Sequence, residues 1–256
     1  MTTRSSKGEA SSFSVVWVPS VTSTNDVALV SAEAGAKEGF TIAAHVQTAG
    51  RGRRGRKWAS PKGGLWASVV LRPSIQSRDL GLLSIACALA AARAIEDETG
   101  LKPGLKWPND IVLAGKKVGG VLLESRTARG KVEYVVAGIG INANLKTKQL
   151  PPDIRESATT LLDHLAERVS LDDLLASFLR HFAELYKGLG TGKRAQVLDA
   201  WKERDTLAGQ RVSVTGTRRI EGICGGVDGA GRLLIREESG KVVPCGQNAR
   251  AVRFLE

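Results

Sequence analysis

The stretch 47-QTAGRGRRGRKW-58 decides how the rest of the chain is interpreted, and we call it the basic loop. Five cations and three glycines fill the eight positions after Ala49. Strand-like apolar runs flank it at residues 40–46 and 65–71, which predicts a loop held between two ordered strands. Glycines let a backbone approach a ligand closely, and arginine side chains match the geometry of phosphate and carboxylate groups. The basic loop is therefore a candidate anion-binding site.

The basic loop has two other interpretations that its residues alone leave open. A run of cations is commonly a solvated face, and Arg/Gly-rich segments also bind nucleic acids. The formal charge of +11 over 256 residues is compatible with nucleic acid, an anionic membrane or a phosphate-bearing ligand. Because Lys and Arg are spread along the whole chain, the surplus favours phosphate affinity over a dedicated nucleic-acid surface.

Cysteine use and the apolar runs predict a cytoplasmic protein without a membrane partner. Cys87, Cys224 and Cys245 are odd in number and lack zinc-site spacing, so we expect them to be reduced and buried. Residues 1–12 are polar and lack the apolar core of a signal peptide, which predicts a disordered tail. The longest apolar run, residues 80–92, is shorter than the roughly 20 residues that cross a bilayer.

The hydrophobic pattern predicts two parts, an α+β domain over residues 13–206 and a small independent module over residues 207–256. Helical spacing or capping signals predict helices, and apolar runs between turn residues predict strands. The expected helices are 27–36, 79–99, 170–189 and 197–204, with a short one within 153–169. The expected strands of the first part are 13–18, 40–46, 65–71, 111–113, 117–124 and 134–141. Five short strands at 211–215, 218–224, 232–236, 241–244 and 250–254 predict a small barrel.

Three segments of the first part carry polar or glycine residues after or within its predicted strands. Ser23-Thr24-Asn25 follows the first strand, and these residues either cap the next helix or face a ligand. Gly119-Gly120 and Gly138 interrupt two apolar strands, which indicates close approach by a ligand or another backbone. The strands and the basic loop therefore share a possible pocket.

The candidate site lacks the usual catalytic sets. Its cations and amides suit a reaction in which the substrates supply both nucleophile and electrophile while the protein orients them and offsets negative charge. Activation of a carboxylate by ATP is such a reaction, because it needs a phosphate clamp and a lysine near the carboxylate. Arg51, Arg53, Arg56 and Lys117 meet those needs.

Five segments of the chain occur together in one known family: Ser23-Thr24-Asn25, the basic loop, 106-KWPND-110, 116-KKVGGVLLE-124 and 138-GIGIN-142. Their order and spacing are similar to those of the biotin protein ligases, and the resemblance covers roughly residues 13–256. It implies the α+β fold class, with a catalytic domain like that of class II aminoacyl-tRNA synthetases, built on a mixed sheet with flanking helices. Residues 207–256 then resemble the small SH3-like barrel of that family.

The resemblance also implies roles for individual residues. It places Ser23, Thr24, Asn25, Gln47, Arg51, Gly52, Arg53, Lys117 and Gly120 at biotin, and Arg51, Arg53, Arg56, Trp58, Asn109 and Lys117 at ATP. The implied catalytic residues are Arg53, which retains the reactive intermediate, Lys117, which contacts the biotin carboxyl group and the α-phosphate, and Asp110, which orients the acceptor amine. Mg²⁺ is expected on the phosphates, with Asn109 as a candidate ligand and no further metal ligand from the protein.

The implied activity is an ATP-dependent biotin protein ligase that forms biotinyl-5′-AMP and transfers biotin to a lysine of a biotin carboxyl carrier protein domain. The twelve residues before the first strand are too few for the DNA-binding domain of bifunctional relatives, so a monofunctional enzyme without specific DNA binding is expected, as a monomer or a homodimer. Two alternatives stay open: a lipoate or octanoate ligase or transferase of the same fold, and a nucleic-acid-binding protein that uses the basic loop.

Overall fold

The computed structural model describes residues 13–129, 131–216, 218–246 and 249–255. The predicted disordered tail, residues 1–12, lies outside this part of the chain. The strands of the first part are β1 Ser14–Val21, β2 Phe40–Gln47, β3 Leu65–Leu71, β4 Gly104–Lys106, β5 Asp110–Leu113, β6 Lys116–Ala128 and β7 Lys131–Ile141. Among the described residues they form one seven-stranded sheet in the order β1-β2-β3-β7-β6-β5-β4.

The large sheet is mixed, as predicted. β1 pairs in parallel with β2, and every other neighbouring pair is antiparallel. The helices are α1 Thr24–Glu33, α2 Leu80–Thr99, α3 Leu171–Gly190 and α4 Arg194–Lys202. Successive side chains of a strand point to opposite faces, so Ile42 of β2 packs in a cluster with α1 residues while Ala43 packs in the cluster that contains α2. Helices therefore cover both faces of the sheet.

The two long helices follow the sequence signals closely. Almost every side chain of α2 from Gly81 to Ile95 is buried, because its small and aliphatic residues pack against both the sheet and α3. α2 ends at Gly100, whose φ of 72° is in the left-handed region that glycine adopts readily. α3 begins as predicted, with Ser170 Oγ accepting a hydrogen bond from the amide of Asp173 at 3.2 Å.

The C-terminal module is the sheet formed by β8 Arg211–Thr215, β9 Arg219–Val227, β10 Leu233–Arg236, β11 Val242–Cys245 and β12 Ala251–Phe254. All five predicted strands are present, in the order β11-β10-β9-β8-β12, and each pair is antiparallel.

The C-terminal module packs closely against the first part. Val212 and Leu233 belong to the same buried apolar cluster as α2. The indole of Trp107 donates a hydrogen bond to the carbonyl of Gly231 at 3.0 Å. A Cβ on Gly231 would lie 2.8 Å from the carbonyl carbon of Gly81 in α2, so only glycine permits this close approach. The two sheets therefore pack through one continuous core.

Other expectations are corrected in detail. α1 begins at Thr24, three residues before the predicted start. The short helix expected within residues 153–169 is a 3-10 helix, Leu161–Asp163, and another 3-10 helix, Pro152–Ile154, lies at the start of this stretch. The three cysteines are buried and unpaired, as predicted.

No helix in the described ranges is both long enough and apolar enough to cross a membrane.

Candidate active site

A cavity of about 700 Å³ lies where the C-terminal ends of β1, β2 and β7 meet the start of β6 and the turn between β4 and β5. The basic loop and residues 150–158 form further walls. Every residue assigned to biotin, ATP or catalysis from the sequence lines this one cavity. They are Ser23, Thr24, Asn25, Gln47, Arg51, Gly52, Arg53, Arg56, Trp58, Asn109, Asp110, Lys117 and Gly120.

One end of the cavity is a buried polar pocket built on the first turn of α1. The amide and hydroxyl of Thr24 donate to Gln47 Oε1 at 2.8 and 3.0 Å. Gln47 Nε2 in turn donates to the hydroxyl of Ser60 at 2.7 Å. Ser23 occupies the N-cap position, but its side chain makes no capping hydrogen bond. Capping therefore does not explain these polar residues, whereas the fixed hydrogen-bond network suits recognition of a polar ligand.

Asn25 connects this pocket to three strands. Its Oδ1 accepts from the hydroxyl of Ser68 at 2.6 Å, and its Nδ2 donates to Glu124 Oε2 at 2.7 Å. A Cβ on Gly138 would fall well inside van der Waals contact of Asn25 Oδ1. Glycine in β7 is thus required by the position of the Asn25 amide, which explains one of the glycine interruptions in the apolar strands.

The basic loop folds back on itself as a narrow hairpin. Gln47 bridges to Ser60 and Arg51 bridges to Lys57, and the amide of Gly52 donates to the carbonyl of Arg56 at 2.7 Å. Gly50 is required by close packing, because a Cβ there would lie 2.5 Å from the carbonyl oxygen of Trp58. The loop therefore has a defined backbone, and several of its side chains, among them Arg53, Arg56 and Trp58, line the cavity.

Arg51 holds the loop in place through two carboxylates. Its guanidinium donates to both oxygens of Glu124, at 2.9 and 2.8 Å, and to Asp26 at 2.6 Å. The bidentate pair fixes the geometry of an arginine strongly. Arg51 thus joins the loop to β6 and α1, and its charge is largely offset. Arg51 also lines the cavity, where the sequence places it with biotin and ATP.

Arg53 reaches the C-terminal module. Its Nη2 donates to the carbonyl of Ala249 at 3.2 Å. Burial lowers the pKa of Arg53, while the nearby Asp110 carboxylate opposes that change. Arginine stays charged under all ordinary conditions, so a fixed positive charge lies between the loop, the module and Asp110.

Lys117 lies at the start of β6 with its ammonium inside the cavity. Nζ donates to Asp110 Oδ1 and lies 5.2 Å from the ring centroid of Trp58. The backbone of Lys117 makes two hydrogen bonds to residues 157–159. Its amide donates to the carbonyl of Ser157, and its carbonyl accepts from the amide of Thr159, each at 2.9 Å. A carboxylate, a ring and a short β-bridge therefore position this lysine.

Asn109 is buried in the turn between β4 and β5. Its Nδ2 donates to the carbonyl of Val121 at 2.5 Å, which leaves the amide oxygen as the group available to a ligand. In the described residues, no group of three His, Cys, Asp or Glu side chains lies close enough together to hold a metal ion.

Several residues of the site were missed by sequence reasoning. Ser68 is the one polar residue in the buried strand β3. A buried hydroxyl needs a hydrogen-bond partner, so a serine in this apolar run indicates a polar contact. Glu124 ends one of the five segments, and its pairing with Arg51 was not foreseen. Lys106 and Phe254 also line the cavity. The position of Phe254, at the far end of the chain, has no local sequence signal.

Residues 17–142 match the model of the biotin/lipoate A/B protein ligase family. A biotin–[acetyl-CoA-carboxylase] ligase of Paracoccus denitrificans is 35% identical over 220 residues, which are 80% of this chain and 88% of that protein. This chain belongs to the biotin/lipoate A/B protein ligase family. The bifunctional ligase/repressor BirA of Bacillus subtilis is 32% identical over 224 residues, 86% of this chain and 68% of that protein.

Solved structures of this family have the same fold. The biotin protein ligase of Aquifex aeolicus in complex with biotin and ATP superimposes with a TM-score of 0.82 at 29% identity, covering 94% of this chain and 99% of that one. The biotin protein ligase of Leishmania major in complex with biotinyl-5-AMP gives 0.62 at 26% identity, covering 91% and 98%. The fold class predicted from the sequence is confirmed.

Proposed function

We propose that this chain is an ATP-dependent biotin protein ligase that forms biotinyl-5′-AMP and transfers biotin to a lysine of a biotin carboxyl carrier protein domain. The observation that carries the proposal is that one cavity combines a buried amide and hydroxyl pocket with a group of cations. A neutral polar head and an anionic reacting end require these two environments next to each other. The comparisons support the same activity.

The pocket at Thr24, Asn25 and Gln47 is assigned to the ureido head of biotin. That head presents two N–H donors and one carbonyl acceptor, and the pocket supplies both amide and hydroxyl groups in fixed positions. A site built to hydrogen-bond a polar head discriminates strongly against an acid that lacks it. The dithiolane of lipoate and the alkyl chain of octanoate have no such donors, so this pocket favours biotin over both.

Lys117 is assigned to the reacting groups of the first step. A carboxylate oxygen of biotin attacks the α-phosphorus of ATP, the bond from that phosphorus to the bridging oxygen breaks, and pyrophosphate leaves with the electron pair. Negative charge accumulates on the phosphoryl oxygens during this step. A positioned ammonium offsets that charge most effectively in a site from which water is excluded. Arg56 and Trp58 are assigned to the nucleotide.

Mg²⁺ is proposed to accompany ATP, with its coordination supplied mainly by phosphate oxygens. Mg²⁺ prefers oxygen ligands and usually keeps several waters. Among the assigned residues, the amide oxygen of Asn109 fits this preference, because its Nδ2 is already bound to Val121. The ion would reduce the negative charge of the triphosphate.

In the second step the ε-amine of the carrier lysine attacks the acyl carbon of biotinyl-5′-AMP, AMP leaves, and an amide forms. Asp110 is assigned to orienting that amine, since its carboxylate faces the cavity beside Lys117. Gly52 and Arg53 belong to the part of the basic loop that covers the intermediate. The cytoplasm is the proposed compartment, supported by the three buried, unpaired thiols.

Biotin-dependent exchange of labelled pyrophosphate into ATP tests the proposal directly. We expect exchange with biotin, together with transfer of labelled biotin to a carrier domain, and no exchange with lipoate or octanoate. Activation of lipoate without activation of biotin would contradict the assignment. The nucleic-acid alternative predicts salt-sensitive RNA or DNA binding that persists at saturating biotin and ATP.

Replacing Gly138 with Ala is expected to raise the KM for biotin about tenfold, because the new methyl group displaces the Asn25 amide. The physical reason is the space that a Cβ at this position would share with Asn25 Oδ1. KM values from pyrophosphate exchange measure the effect. Gly190→Ala is the matched control, since a Cβ there meets nothing within 4 Å. An unchanged KM for biotin in Gly138→Ala would contradict the assignment of Asn25 to the biotin pocket.

A further inference from the structure

Two lysines of the cavity lie against aromatic rings, and one of the rings belongs to the C-terminal module. Lys117 Nζ lies 5.2 Å from the ring centroid of Trp58, and Lys106 Nζ lies 4.6 Å from that of Phe254. Both distances are within the range of cation–π contacts. Lys117 also has a carboxylate partner, Asp110. In the parts of the chain that the structure describes, Lys106 Nζ makes no ion pair or hydrogen bond, and it lies over the ring of Phe254.

The surroundings of Lys106 favour binding of an anion. Lys106 is the cross-strand partner of Asp110, so two lysines, Lys106 and Lys117, flank a single carboxylate. Burial lowers the pKa of Lys106, Lys117 lowers it further, and Asp110 opposes both effects. A partly buried cation of this kind gains more from an arriving anion than a fully hydrated one does.

The strand order places Lys106 beyond Lys117 as seen from the polar pocket. Asn25 in that pocket contacts β3 through Ser68 and packs on β7 at Gly138. Lys117 is on β6, and Lys106 is on β4, the edge strand. In the sheet order β3-β7-β6-β5-β4, the polar pocket therefore comes first, Lys117 next and Lys106 last. A ligand with its head in the pocket and its carboxyl group at Lys117 would have the outer phosphates of the nucleotide near Lys106.

We propose that Lys106 binds the β- and γ-phosphates of the nucleotide, and pyrophosphate after cleavage, and that Phe254 is a positioning residue that holds its ammonium in place. This inference rests on the proposed function and assigns part of the same site. When the bond at the α-phosphorus breaks, the electron pair and the new negative charge go to pyrophosphate, and Lys106 offsets them.

An aromatic ring suits this positioning role better than a carboxylate does. A ring face attracts an ammonium without neutralising it, so the charge of Lys106 stays available to the phosphates. Phe254 is 50% exposed, and it lines the cavity from the last strand of the C-terminal module. An apolar side chain left open to solvent at a cavity rim is explained if it packs against a lysine stem and head.

The test compares Phe254→Leu with wild type in ATP–pyrophosphate exchange at saturating biotin. We expect the KM for pyrophosphate and for ATP to rise about 3- to 10-fold, the range of a partly desolvated cation–π contact. The KM for biotin is expected to stay within about twofold. Transfer from preformed biotinyl-5′-AMP to a carrier domain is expected to be unchanged, because pyrophosphate has already left.

Two further variants separate positioning from a merely structural effect. Phe254→Tyr keeps the ring and should keep the wild-type KM for pyrophosphate. Val242→Ala removes another exposed apolar side chain of the module, 53% exposed and outside the cavity, and should change neither reaction.

Each remaining outcome contradicts one proposal only. A KM for pyrophosphate in Phe254→Leu equal to that of wild type, or an equal loss in Phe254→Tyr, overturns the role of Phe254. A parallel loss of biotin binding and of transfer shows that Phe254 is merely structural and also overturns it. Absence of biotin-dependent exchange in the wild type overturns the proposed function itself.

Discussion

Lys117→Ala is expected to lower the rate of biotinyl-5′-AMP formation by about 10²- to 10³-fold, the usual cost of removing a charge-stabilising group from an active site. The ammonium of Lys117 is fixed by Asp110 and by the ring of Trp58. In the proposed placement of Lys117, the substitution removes a positive charge from the point where phosphoryl charge develops, and it leaves Asp110 without its lysine partner. Both effects oppose the approach of two anionic substrates.

The measurement is biotin-dependent pyrophosphate exchange, together with thermal unfolding to exclude loss of the fold. The backbone contacts of Lys117 with Ser157 and Thr159 do not involve its side chain, so we expect the folded structure to persist. Lys131→Ala is the matched control, because Lys131 is an exposed lysine on the neighbouring strand β7 and does not line the cavity. Normal exchange by Lys117→Ala would count against the placement of this lysine at the reacting groups.

Local signals predicted most of the elements that surround this lysine. The strand at 65–71 is found with the predicted bounds as Leu65–Leu71, because its apolar run lies between glycine and proline turns. Gly100 ends α2, as predicted, because glycine adopts the left-handed conformation that terminates the helix. The start of α1 was misplaced because Thr24 and Asn25 belong to its first turn and hydrogen-bond to the sheet, whereas the sequence left open whether they precede the helix as caps or face a ligand. Tertiary contacts thus overrode a local interpretation.

The ion pairs of the site could not be predicted from the sequence. The pattern of arginines in the basic loop indicated anion binding, but it could not tell which arginine already has a carboxylate partner. Arg51 is bound to Glu124 and Asp26, which come from two other elements. These pairings depend on how β6 and α1 pack, and no spacing along the chain encodes them.

The packing of the C-terminal module could not be predicted from the sequence either. Its strands and turns were predicted, whereas its contact with α2 through Gly231 depends on two surfaces that only the folded chain brings together. Through this packing Ala249 accepts a hydrogen bond from Arg53, and Phe254 lines the cavity beside Lys106. Because the module contacts two cationic side chains of the site, Arg53 and Lys106, changes in it are expected to affect the reaction as well as the stability of the fold.

Arg53→Gly is expected to speed the release of biotinyl-5′-AMP by about 10- to 100-fold, which corresponds to the loss of one or two charge-assisted hydrogen bonds. Arg53 lies between the basic loop, Asp110 and the carbonyl of Ala249. Without this side chain the loop loses the hydrogen bond from Arg53 to Ala249, together with the positive charge that the proposed function places over the adenylate. Free adenylate reacts with lysines in solution, so diffuse biotinylation of a bystander protein should appear.

The experiment measures biotin incorporated into a carrier domain and into an unrelated lysine-rich protein in the same reaction. Arg54→Gly is the matched control, since Arg54 is the next residue and its φ of 60° is a conformation that glycine adopts without strain. Arg54 does not line the main cavity, so that variant should stay specific for the carrier. Bystander labelling by both variants alike would attribute retention to the loop backbone, whereas labelling by Arg53→Gly alone attributes it to the Arg53 side chain. Strict carrier specificity in Arg53→Gly would exclude the role of this arginine, because the adenylate would then be held without it.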